Sequence, residues 1–463
     1  MSDSFVIFQF QQIKSMSGVE VIIEDLQSHP WCPHGPTLLF SRNTNGIKRR
    51  FFACSACRDR KLCPFFLYED EKHKYKTEVW HKEREKFLRK IDHRKLFLIL
   101  SKIQQLSPSD RAYCHTCSSF QLKKFWDKHM EHDFVINISD YQIKHPSEFL
   151  SPLEDAKKEA QFLFSRASVR VIVDIFKCLK YRKIVCLGTP RIHEFITNQC
   201  PDMDSLLLDF DSRYHNFYGP LQFCWYNSFN NHFFHPESQE VFDDFLKSES
   251  VVMILDPPFG GRVEPLAQTI NQITQKYNRL NKLKVELPIF WIFPYFMEPQ
   301  ILNSLSDYSM LDYKVDYDNH PLFQDGAKAR KFGSPVRIFT NVDPSKIALP
   351  PEEGYKFCAE CNKWVSKENK HCQICRKCTS KDGRTYTHCL KCEKCVKPSW
   401  QHCKKCNRCC QPDHKCGKLV FSQDCFHCKQ PGHKKRECPN VNHTELHKKR
   451  KLKTKDKAKR LKT

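Results

Sequence analysis

A carboxylate, two prolines and a phenylalanine end an apolar run at residues 251–259, whose sequence is VVMILDPPF. Proline has no N–H to donate to a neighbouring strand, so a strand here must end in a stiff turn. The carboxylate of Asp256 and the carbonyl of Pro257 can point into one pocket as acceptors, and Phe259 offers a flat face for stacking. Such a pocket suits the exocyclic amine of a nucleobase, which presents two N–H donors. Because Pro257 and Pro258 hold the acceptors stiffly, little entropy is lost when a base binds.

The sequence around this turn alternates strand-like and helix-like segments. The predicted strands are 183–188, 205–211, 223–227, 251–256 and 288–293, and the predicted helices are 155–180, 190–198, 238–248 and 264–283. This alternation indicates an α/β fold with a mostly parallel, doubly wound sheet. Two further strands, 310–317 and 336–341, have no helix between them, so we expect an antiparallel pair joined by the loop 318–335.

The residues that follow the predicted strands are the ones expected to bind a ligand. In open sheets of this type, ligands bind beyond the carboxyl ends of the strands. Gly188 follows the first strand, Asp209 and Asp211 close the second, and Asn227 ends the third. We expect these residues to converge with Asp256 on one crevice, and a proline-capped strand without chemistry is the alternative.

The turn resembles the [D/N]-P-P-[F/Y/W] motif of S-adenosylmethionine-dependent amino-methyltransferases. In that class, enzymes acting on adenine N6 commonly carry Asp first, as at Asp256, whereas protein-glutamine methyltransferases more often carry Asn and Tyr. The resemblance implies a Rossmann-like methyltransferase domain over 145–345 and direct methyl transfer. Asp256 and the Pro257 carbonyl would hold the two N6 hydrogens, and Asp256 would stabilise the positive charge that develops on the nitrogen.

The resemblance also assigns residues to the cofactor. Asp209, with Asp211 as its competitor, would accept hydrogen bonds from the ribose hydroxyls, and Asn227 would bind the adenine edge. The segment 160–168 resembles one that caps the cofactor in some RNA adenine methyltransferases, and core packing is the alternative for its aromatic residues. The predicted cofactor-binding residues are Gln161, Phe162, Phe164, Ser165, Gly188, Asp209, Tyr226 and Asn227.

The 26 cysteines indicate metal rather than disulfides. The first residues show neither a basic region nor a long apolar core, so we expect an intracellular chain with reduced thiols. Sixteen cysteines fall within 358–438, and none falls within 225–357. No run of about 18 apolar residues is present, so we predict no contact with a membrane.

Two zinc modules are predicted before the methyltransferase domain. The module at 30–70 resembles a GRF-type zinc finger, which binds nucleic acid; Cys57 is interpreted as a spare thiol, and the predicted ligands are Cys32, His34, Cys54 and Cys63. The module at 110–135 has C-x2-C-x11-H-x2-H spacing, close to a two-Cys two-His finger, with ligands Cys114, Cys117, His129 and His132. His115 is interpreted as a bystander, and a surface histidine pair is the alternative to the second module.

A cysteine-rich region follows at 355–418, where the unit H-C-x2-C-x2-C occurs three times. It resembles the cysteine-rich domain of DHHC-type acyltransferases, but it lacks the Asp-His-His-Cys site, so we keep only the zinc scaffold. The region has too few apolar residues to fold without metal. The spacing leaves the grouping of the ligands open; they are Cys358, Cys361, His371, Cys372, Cys375, Cys378, His388, Cys389, Cys392, Cys395, His402, Cys403, Cys406, Cys409, Cys410, His414 and Cys416.

A zinc knuckle and a basic tail complete the sequence. The C-x2-C-x4-H-x4-C spacing at 423–440 is that of a knuckle, a module that binds single-stranded RNA bases, and its ligands are Cys425, Cys428, His433 and Cys438. The tail at 442–463 would contact phosphates and act as a nuclear or nucleolar address, with a solvated charge run as the alternative.

The formal net charge of +23 favours a nucleic-acid partner over a membrane surface. The combined modules resemble the family of CCHC-knuckle N6-adenosine methyltransferases that modify large-subunit ribosomal RNA. The resemblance implies S-adenosylmethionine and several Zn²⁺ ions as cofactors. It also implies a stem-loop or single-stranded segment of rRNA as substrate, and location in the nucleus and nucleolus, with the cytoplasm as a further location.

Two alternatives to an RNA methyltransferase remain open. A catalytically inactive zinc-finger RNA-binding adaptor is one, because the loop at Gly188 carries a single glycine. A DNA adenine methylase is the other, although the zinc modules favour unpaired RNA. Separately, we hypothesise that the loop 318–335 controls access of the target base, against the alternative of an ordinary surface loop.

Overall fold

The protein consists of two compact units with their boundary between Lys367 and Glu368. The first unit contains the N-terminal modules together with the α/β domain, so parts predicted as separate modules belong to one compact body. No helix among the described residues combines the length and apolar character needed to cross a membrane. The structure, a computed structural model, describes residues 19–44, 47–57, 59–88, 91–152, 161–284, 286–320, 333–414 and 416.

The first unit alternates strands and helices along the chain. Its strands are β1 (Val19–Ile22), β2 (Trp31–Cys32), β3 (Gly35–Pro36), β4 (Leu38–Thr44), β5 (Ile47–Ala53), β6 (Phe66–Tyr68), β7 (Ala112–Cys114), β8 (Ser119–Gln121), β9 (Phe134–Ile136), β10 (Lys183–Leu187), β11 (Asp204–Asp209), β12 (Phe223–Asn227), β13 (His232–Phe233), β14 (Val251–Leu255), β15 (Ile289–Pro294), β16 (Ser309–Met310), β17 (Val336–Thr340), β18 (Tyr355–Cys358) and β19 (Lys363–Ser366). Its α-helices are α1 (Thr77–Leu88), α2 (His93–Gln105), α3 (Asp140–Lys144), α4 (Pro146–Phe149), α5 (Arg166–Cys178), α6 (Pro190–Gln199), α7 (Pro236–Phe245), α8 (Val263–Asn281) and α9 (Glu298–Ser304). Short 3-10 helices lie at Leu26–Ser28, Glu69–Lys74, Pro108–Asp110, Lys123–His129, Ser212–Asn216, Tyr295–Met297, Pro344–Lys346 and Pro351–Glu353.

The central sheet has the strand order β13-β12-β11-β10-β14-β15-β17-β16. The five central strands of this order, β12-β11-β10-β14-β15, are parallel to one another. The strand pairs at both edges of the sheet are antiparallel. Strand order reverses between β10 and β14, and this is the position where open α/β sheets bind ligands. The parallel strands lie where the sequence predicted them. Each is a continuous apolar run, because helices cover both faces of the sheet and bury the side chains on either side.

Alternate residues of the central strands fill two separate apolar cores. Along β10, Ile184 and Cys186 pack into the core that also contains residues of α5 and α6. Val185 and Leu187 pack into the core that contains residues of α7 and α8. Because successive side chains of a strand point to opposite faces, one short apolar run supports helices on both sides.

The last two predicted strands pair antiparallel, as expected, but the first is much shorter than predicted. It pairs with β17 only over Ser309–Met310. The N–H groups of Leu311 and Val315 still donate to carbonyls of β17, at 2.8 and 3.2 Å. Tyr317 then forms an antiparallel bridge with Phe164. The segment therefore leaves the sheet edge and runs beside the residues that precede α5.

The hairpin of β2 and β3 packs directly against the central sheet. The side-chain amide of Asn230 donates to the carbonyls of His34 and Pro36, at 3.1 and 2.8 Å. Gly35 lies between these carbonyls with φ +94°, a conformation that L-residues with a side chain rarely adopt. A Cβ at Gly35 would lie 2.6 Å from the ring of His232 in β13, a short strand that the sequence did not predict. The close packing of module and sheet therefore requires glycine.

In its described residues, the second unit contains three short antiparallel hairpins, one for each H-C-x2-C-x2-C repeat. The residue after the second cysteine of each C-x2-C turn, Arg376, Glu393 or Asn407, has φ between +46° and +50°. The repeated backbone shape thus follows the repeated sequence. The strands are β20 (His371–Cys372), β21 (Lys377–Cys378), β22 (Thr387–Cys389), β23 (Lys394–Val396), β24 (Gln401–Cys403) and β25 (Arg408–Cys410).

Substitution of Gly35 by alanine tests how tightly this hairpin is docked. Gly354 is a matched control, because its φ is +90° but a Cβ there would meet nothing within 4 Å. Both variants strain the backbone, by about 1–2 kcal/mol. Gly35→Ala should lose a further about 1–3 kcal/mol through overpacking against His232, measured as the lower midpoint of urea unfolding. Equal losses in the two variants would contradict tight docking at this position.

Candidate active site and metal centres

The Asp-Pro-Pro-Phe turn closes directly onto the end of the neighbouring strand. The N–H of Asp256, the residue after β14, donates to the carbonyl of Leu187 at 3.2 Å. The N–H of Gly261 donates back to the carbonyl of Pro258 at 2.6 Å, which closes the turn. With two prolines inside this closed turn, the backbone around Asp256 has little freedom.

Gly188 allows the strand ends to approach each other. It follows β10 with φ +63°, and its N–H donates to the carbonyl of Leu208 at 2.9 Å. A Cβ there would lie 3.3 Å from the carbonyl oxygen of Asp256. The single glycine of this loop therefore sits at the one position where both a positive φ and backbone contact require it.

Tyr317 holds the carboxylate of Asp256 from the opposite side of the turn. Its hydroxyl donates to the two carboxylate oxygens, at 3.0 and 3.1 Å. The ring of Tyr317 lies 5.2 Å from that of Phe164, 6.0 Å from that of Phe162 and 5.9 Å from that of Phe259. Burial raises the pKa of Asp256 well above its ordinary range, and the hydrogen bond from Tyr317 acts in the opposite direction. Sequence reasoning missed Tyr317, because its contact with Asp256 spans 61 positions of the chain.

The structure separates the two candidate carboxylates of the second strand. Both oxygens of Asp211 accept hydrogen bonds from the guanidinium of Arg213, at 2.6 to 3.1 Å, and the amide of Gln161 donates to it at 2.9 Å. Asp209 and Asp211 both line one cavity, but the ion pair with Arg213 belongs to Asp211, and Asp209 accepts the N–H of Asp211 at 2.8 Å. Burial, together with the charge of Asp211, raises the pKa of Asp209 to about 7. Asp209 is thus the carboxylate placed to meet a ligand.

The segment before α5 divides into cavity residues and structural residues. Gln161 and Phe162 line the cavity, and the ring of Phe162 lies 5.9 Å from that of Phe259. Phe164 is buried against Tyr317 and is not a lining residue. Ser165 is the N-cap of α5, where its hydroxyl accepts the N–H of Ser168. Phe164 and Ser165, both predicted to bind the cofactor, therefore position this segment instead.

Asn227 docks the N-terminal module onto the sheet. Its side-chain amide donates to the carbonyl of His34 at 2.9 Å and to the hydroxyl of Ser55 at 2.8 Å, while its oxygen accepts the N–H of Phe229 at 3.1 Å. Asn227 also lines the cavity, and its contact with an adenine edge stays a prediction. Tyr226 is 1% exposed and donates its hydroxyl to Asn231, but it still lines the cavity.

One cavity of about 1240 Å³ brings these groups together. Asp209 ends β11, and Gly188 and Asp256 follow β10 and β14; since these three strands are adjacent, the two carboxylates flank the glycine loop. The N-terminal module contributes part of the wall, including Phe40 and Phe51. The volume exceeds the range of about 300–1000 Å³ of ordinary small-molecule sites, so it can accept a nucleoside cofactor and a base together.

The residues of this cavity fit S-adenosylmethionine. A ribose has two hydroxyl donors, which match the carboxylate of Asp209, and the absence of a side chain at Gly188 leaves room beside the backbone. Aromatic rings at Phe162 and Phe210 add flat surfaces for the adenine. Asp256 lies across the glycine loop from Asp209, where the reacting amine is expected.

Both N-terminal zinc modules bring their predicted ligands together. In each set the ligand atoms all lie within 4.8 Å of one another; the sets are Cys32, His34, Cys54 and Cys63, and Cys114, Cys117, His129 and His132. Cys57, interpreted as a spare thiol, donates its backbone N–H to the sulfur of Cys54 at 3.3 Å. His115 is not a member of the second set. The Cys3His and Cys2His2 donor sets are those of structural zinc sites.

The structure groups ligands of the cysteine-rich region that spacing left open. The C-x2-C pair of one hairpin joins a histidine and a cysteine of the next, giving Cys372, Cys375, His388 and Cys395, and Cys389, Cys392, His402 and Cys409. A third set follows the same pattern, with contacts of 3.3 to 3.5 Å among Cys403, Cys406, His414 and Cys416. The sulfurs of Cys375 and Cys395 are 3.8 Å apart. Tetrahedral zinc with bonds of about 2.3 Å separates sulfurs by about that distance.

Five predicted ligands of this region lie outside those three sets. Cys358 ends β18 and Cys361 follows in the turn of the first unit. In the second unit, His371 and Cys378 are cross-strand partners in the hairpin of β20 and β21. Cys410 ends β25, with its sulfur 3.7 Å from the carbonyl of Arg408.

Several predictions fall on residues outside the described part of the chain. These include the knuckle ligands Cys425, Cys428, His433 and Cys438, the tail 442–463, and positions 321–332 of the loop 318–335. The described start of that loop is anchored, because the N–H of Asp318 donates to the carbonyl of Leu163 at 3.0 Å. The hypothesis that the loop controls access therefore stays a prediction.

Comparisons with known proteins agree with this geometry. A family model described as a probable N6-adenine methyltransferase matches residues 155–340, and a zinc-knuckle model matches residues 423–440. The chain is 44% identical over 448 residues to the "rRNA N(6)-adenosine-methyltransferase ZCCHC4" of Homo sapiens, covering 92% of this chain and 86% of that protein. It is 47% identical over 441 residues to the protein of that name from Xenopus tropicalis, covering 92% and 90%, and 48% identical over 450 residues to the one from Bos taurus, covering 92% and 86%.

Two cysteines in the second strands of their hairpins provide a test of the zinc grouping. Cys395 belongs to a four-ligand set, whereas the sulfur of Cys410 contacts a carbonyl. We expect Cys395→Ser to lower the zinc content of the full chain by about one ion, because a tetrahedral site needs four donors. Cys410→Ser should leave the content unchanged, as measured by mass spectrometry of the metal. A loss of zinc in Cys410→Ser alone would contradict the grouping.

Proposed function

This chain belongs to the family of rRNA N6-adenosine methyltransferases, and we propose on that premise that it methylates N6 of an adenosine in ribosomal RNA with S-adenosylmethionine as cofactor. The observation that carries the proposal is the placement of Asp256. Its carboxylate follows β14 in a closed, proline-stiffened turn, in the same cavity as Asp209. The finer description of the 145–345 domain as Rossmann-like is part of the proposal and is supported by the parallel centre of the sheet.

The chain's own residues bind and orient the two substrates. When bound, S-adenosylmethionine supplies a methyl group on a sulfonium, which is strongly electrophilic. Asp209 would accept hydrogen bonds from the ribose hydroxyls of the cofactor. Gly188, which has no side chain, would leave space beside the backbone for the rest of the cofactor. On the other side, Asp256 and the carbonyl of Pro257 accept the N6 hydrogens of the target adenine, while Phe259 stacks on its ring. These contacts fix the orientation of the amine before the reaction.

The charge of Asp256 is the chemical contribution of the turn. Adenine N6 is a poor nucleophile because its lone pair is delocalised into the ring, and positive charge develops on it during transfer. An ionised carboxylate already in position stabilises that charge without reorganisation. Burial disfavours the ionised form and raises the pKa of Asp256, and the hydrogen bond from Tyr317 acts in the opposite direction by favouring the carboxylate.

The sequence and the zinc sites support RNA as the substrate class. The formal net charge is +23, and residues 423–440 match a zinc knuckle, a module that binds unpaired bases. We propose a stem-loop or single-stranded segment of large-subunit rRNA as the target. The basic tail is the basis for a further proposal, that the protein is located in the nucleus and nucleolus.

The two alternatives are less well supported. An inactive RNA-binding adaptor would not need Asp256 and Asp209 in one cavity, and the single Gly188 occupies the position where glycine is required. A DNA adenine methylase would act on paired strands, whereas zinc knuckles bind unpaired RNA. Competition between single-stranded RNA and duplex DNA for the full chain distinguishes the substrates.

Replacement of Asp256 by alanine tests the proposed chemistry. We expect methylation of ribosomal RNA to fall by about 100- to 1000-fold, the usual effect of removing one preorganised electrostatic group. Binding of S-adenosylmethionine, measured by calorimetry, should persist, because Asp209 and Gly188 are untouched. Asp307→Ala is the control, since Asp307 is an exposed acid whose carboxylate accepts from Ser306. Undiminished methylation by the Asp256 variant would exclude the proposed role.

The pH dependence of methylation tests the contact between Tyr317 and Asp256. Asp256 must lose its proton to act, so activity rises as pH increases through its raised pKa. Tyr317→Phe removes the hydrogen bond that lowers this pKa, so the acidic limb of the kcat profile should move to higher pH. Tyr308→Phe is the matched control, because that hydroxyl is buried with no hydrogen-bond partner among the described residues. A limb that stays in place in Tyr317→Phe would rule out the effect.

A further inference from the structure

Two segments that are far apart in the chain form a short ribbon beside the active-site cavity. One is 161–165, the segment before α5, which contributes side chains to the cavity. The other is 316–319, which contains Tyr317, the residue whose hydroxyl donates to Asp256. An antiparallel bridge between Phe164 and Tyr317 joins the two segments. We call this pair of segments the ribbon.

Backbone hydrogen bonds hold the ribbon together on both sides of this bridge. The N–H of Ser165 donates to the carbonyl of Asp316 at 2.8 Å. The N–H of Asp318 donates to the carbonyl of Leu163 at 3.0 Å. Neither segment can therefore shift along its axis without displacing the other.

The side chain of Asn319 continues the ribbon beyond its last backbone pair. Its oxygen accepts the N–H of Leu163 at 2.7 Å, and its amide donates to the carbonyl of Gln161 at 2.7 Å. That N–H and that carbonyl belong to the two peptide bonds on either side of Phe162. Because peptide bonds are planar, Asn319 fixes the backbone that presents Phe162 to the cavity.

A largely buried arginine of α6 holds both strands of the ribbon at once. The guanidinium of Arg191 donates to the carbonyl of Phe164 at 2.6 Å and pairs with the carboxylate of Asp318. Its Nε also donates to the hydroxyl of Ser147 at 3.4 Å. The side chain is only 13% exposed, and charge-assisted hydrogen bonds with so little water around them are strong. Because α6 begins two residues after Gly188, Arg191 joins the glycine loop to the ribbon.

The two strands of the ribbon serve different halves of the site. Phe162 is a proposed surface for the cofactor, and Tyr317 holds the carboxylate proposed to accept the target amine. Their ring centroids are 6.0 Å apart, at an interplanar angle of 67°. Direct transfer needs the amine in line with the sulfonium, and a misplacement of about 1 Å can lower a rate by about 100-fold. A connection that fixes both halves relative to each other therefore bears on the rate.

We propose that Arg191 and Asn319 are positioning residues of the methyl transfer, which lock the cofactor segment and the Tyr317 segment into one ribbon. Neither residue lines the cavity, so both act through residues that do. This inference rests on the proposed function and adds the residues that align its two substrates. The competing explanation is that the ribbon contributes only to the stability of the fold.

The acidic limb of the kcat profile against pH separates positioning from stability. Arg191→Met keeps an apolar stem of similar length and removes the donors. With the ribbon loosened, Tyr317 holds Asp256 less firmly, so the limb should move to higher pH, as in Tyr317→Phe. Asp316 is the other charged group that acts on Tyr317; it pairs with Lys314 at 3.3 Å and is kept in every variant.

A double variant shows whether Arg191 acts through the tyrosine hydroxyl. If it does, Arg191→Met combined with Tyr317→Phe should move the limb no further than Tyr317→Phe alone, because the contact is already lost. Arg191→Lys keeps the charge and one donor group, and it should restore part of the shift. Arg166→Met is the matched control, since the side chain of Arg166 is 70% exposed and donates to Glu148 at 2.9 Å. The limb should stay in place in that variant.

Cofactor affinity tests the other strand of the ribbon. Asn319→Ala removes the two hydrogen bonds that flank Phe162. Binding of S-adenosylmethionine to the full zinc-loaded chain, measured by calorimetry, should weaken by about 5- to 30-fold, the effect of two lost hydrogen bonds. Arg166→Met should bind the cofactor like the wild type.

Three results would overturn the inference. They are an unmoved limb in Arg191→Met, a limb that moves further in the double variant than in Tyr317→Phe, and unchanged cofactor affinity in Asn319→Ala. A lower melting temperature with the limb and the affinity unchanged would establish the purely structural role instead. Absence of rRNA methylation by the wild type would count against the proposed function, and the calorimetry of Asn319→Ala would still decide whether the ribbon positions the cofactor segment.

Discussion

The site depends on the close approach of two backbones at the carboxyl ends of β10 and β14. The N–H of Asp256 donates to the carbonyl of Leu187, and Gly188 contacts the Asp256 carbonyl so closely that only glycine fits comfortably. Two prolines and the hydrogen bond from Gly261 then restrict the backbone conformation of the turn. A carboxylate fixed in this way needs no reorganisation when charge develops beside it, which is the condition for electrostatic catalysis.

The N-terminal zinc module is part of the active site's architecture rather than an attached binding domain. Asn227 and Asn230, both on the methyltransferase side, donate to carbonyls of its β2–β3 hairpin. These buried amide contacts place Phe40 and Phe51 of the module along one wall of the cavity. Zinc therefore contributes to the site indirectly, because the ligands hold the hairpin whose carbonyls the two asparagines bind. A lost ligand in this module would therefore disturb the cavity wall.

In the cysteine-rich region, too, neighbouring segments hold each other in place through shared metal-ligand sets. Each hairpin supplies two cysteines to one set, and the second and third hairpins also supply a histidine and a cysteine to the set before it. No hairpin completes a site alone, so neighbouring hairpins are joined through the proposed ions. Such a chain of sites can keep its shape with few apolar residues, because metal ligation replaces a hydrophobic core.

The sequence by itself determined the parallel strands, the position of the Asp-Pro-Pro-Phe turn and the ligand sets of the two N-terminal zinc modules. Each depends on residues close in the chain: an apolar run such as 251–255, a proline pair, or a C-x2-C turn. Tertiary structure alone decided what depends on distant contacts. It paired Tyr317 with Asp256, paired Asp211 with Arg213 so that Asp209 is the carboxylate left for a ligand, and turned Asn227 toward the zinc module. It also grouped the cysteines of successive hairpins. Local spacing records which residue types are available, but hydrogen bonds and metal ligation are satisfied by whatever the fold brings within about 3–4 Å.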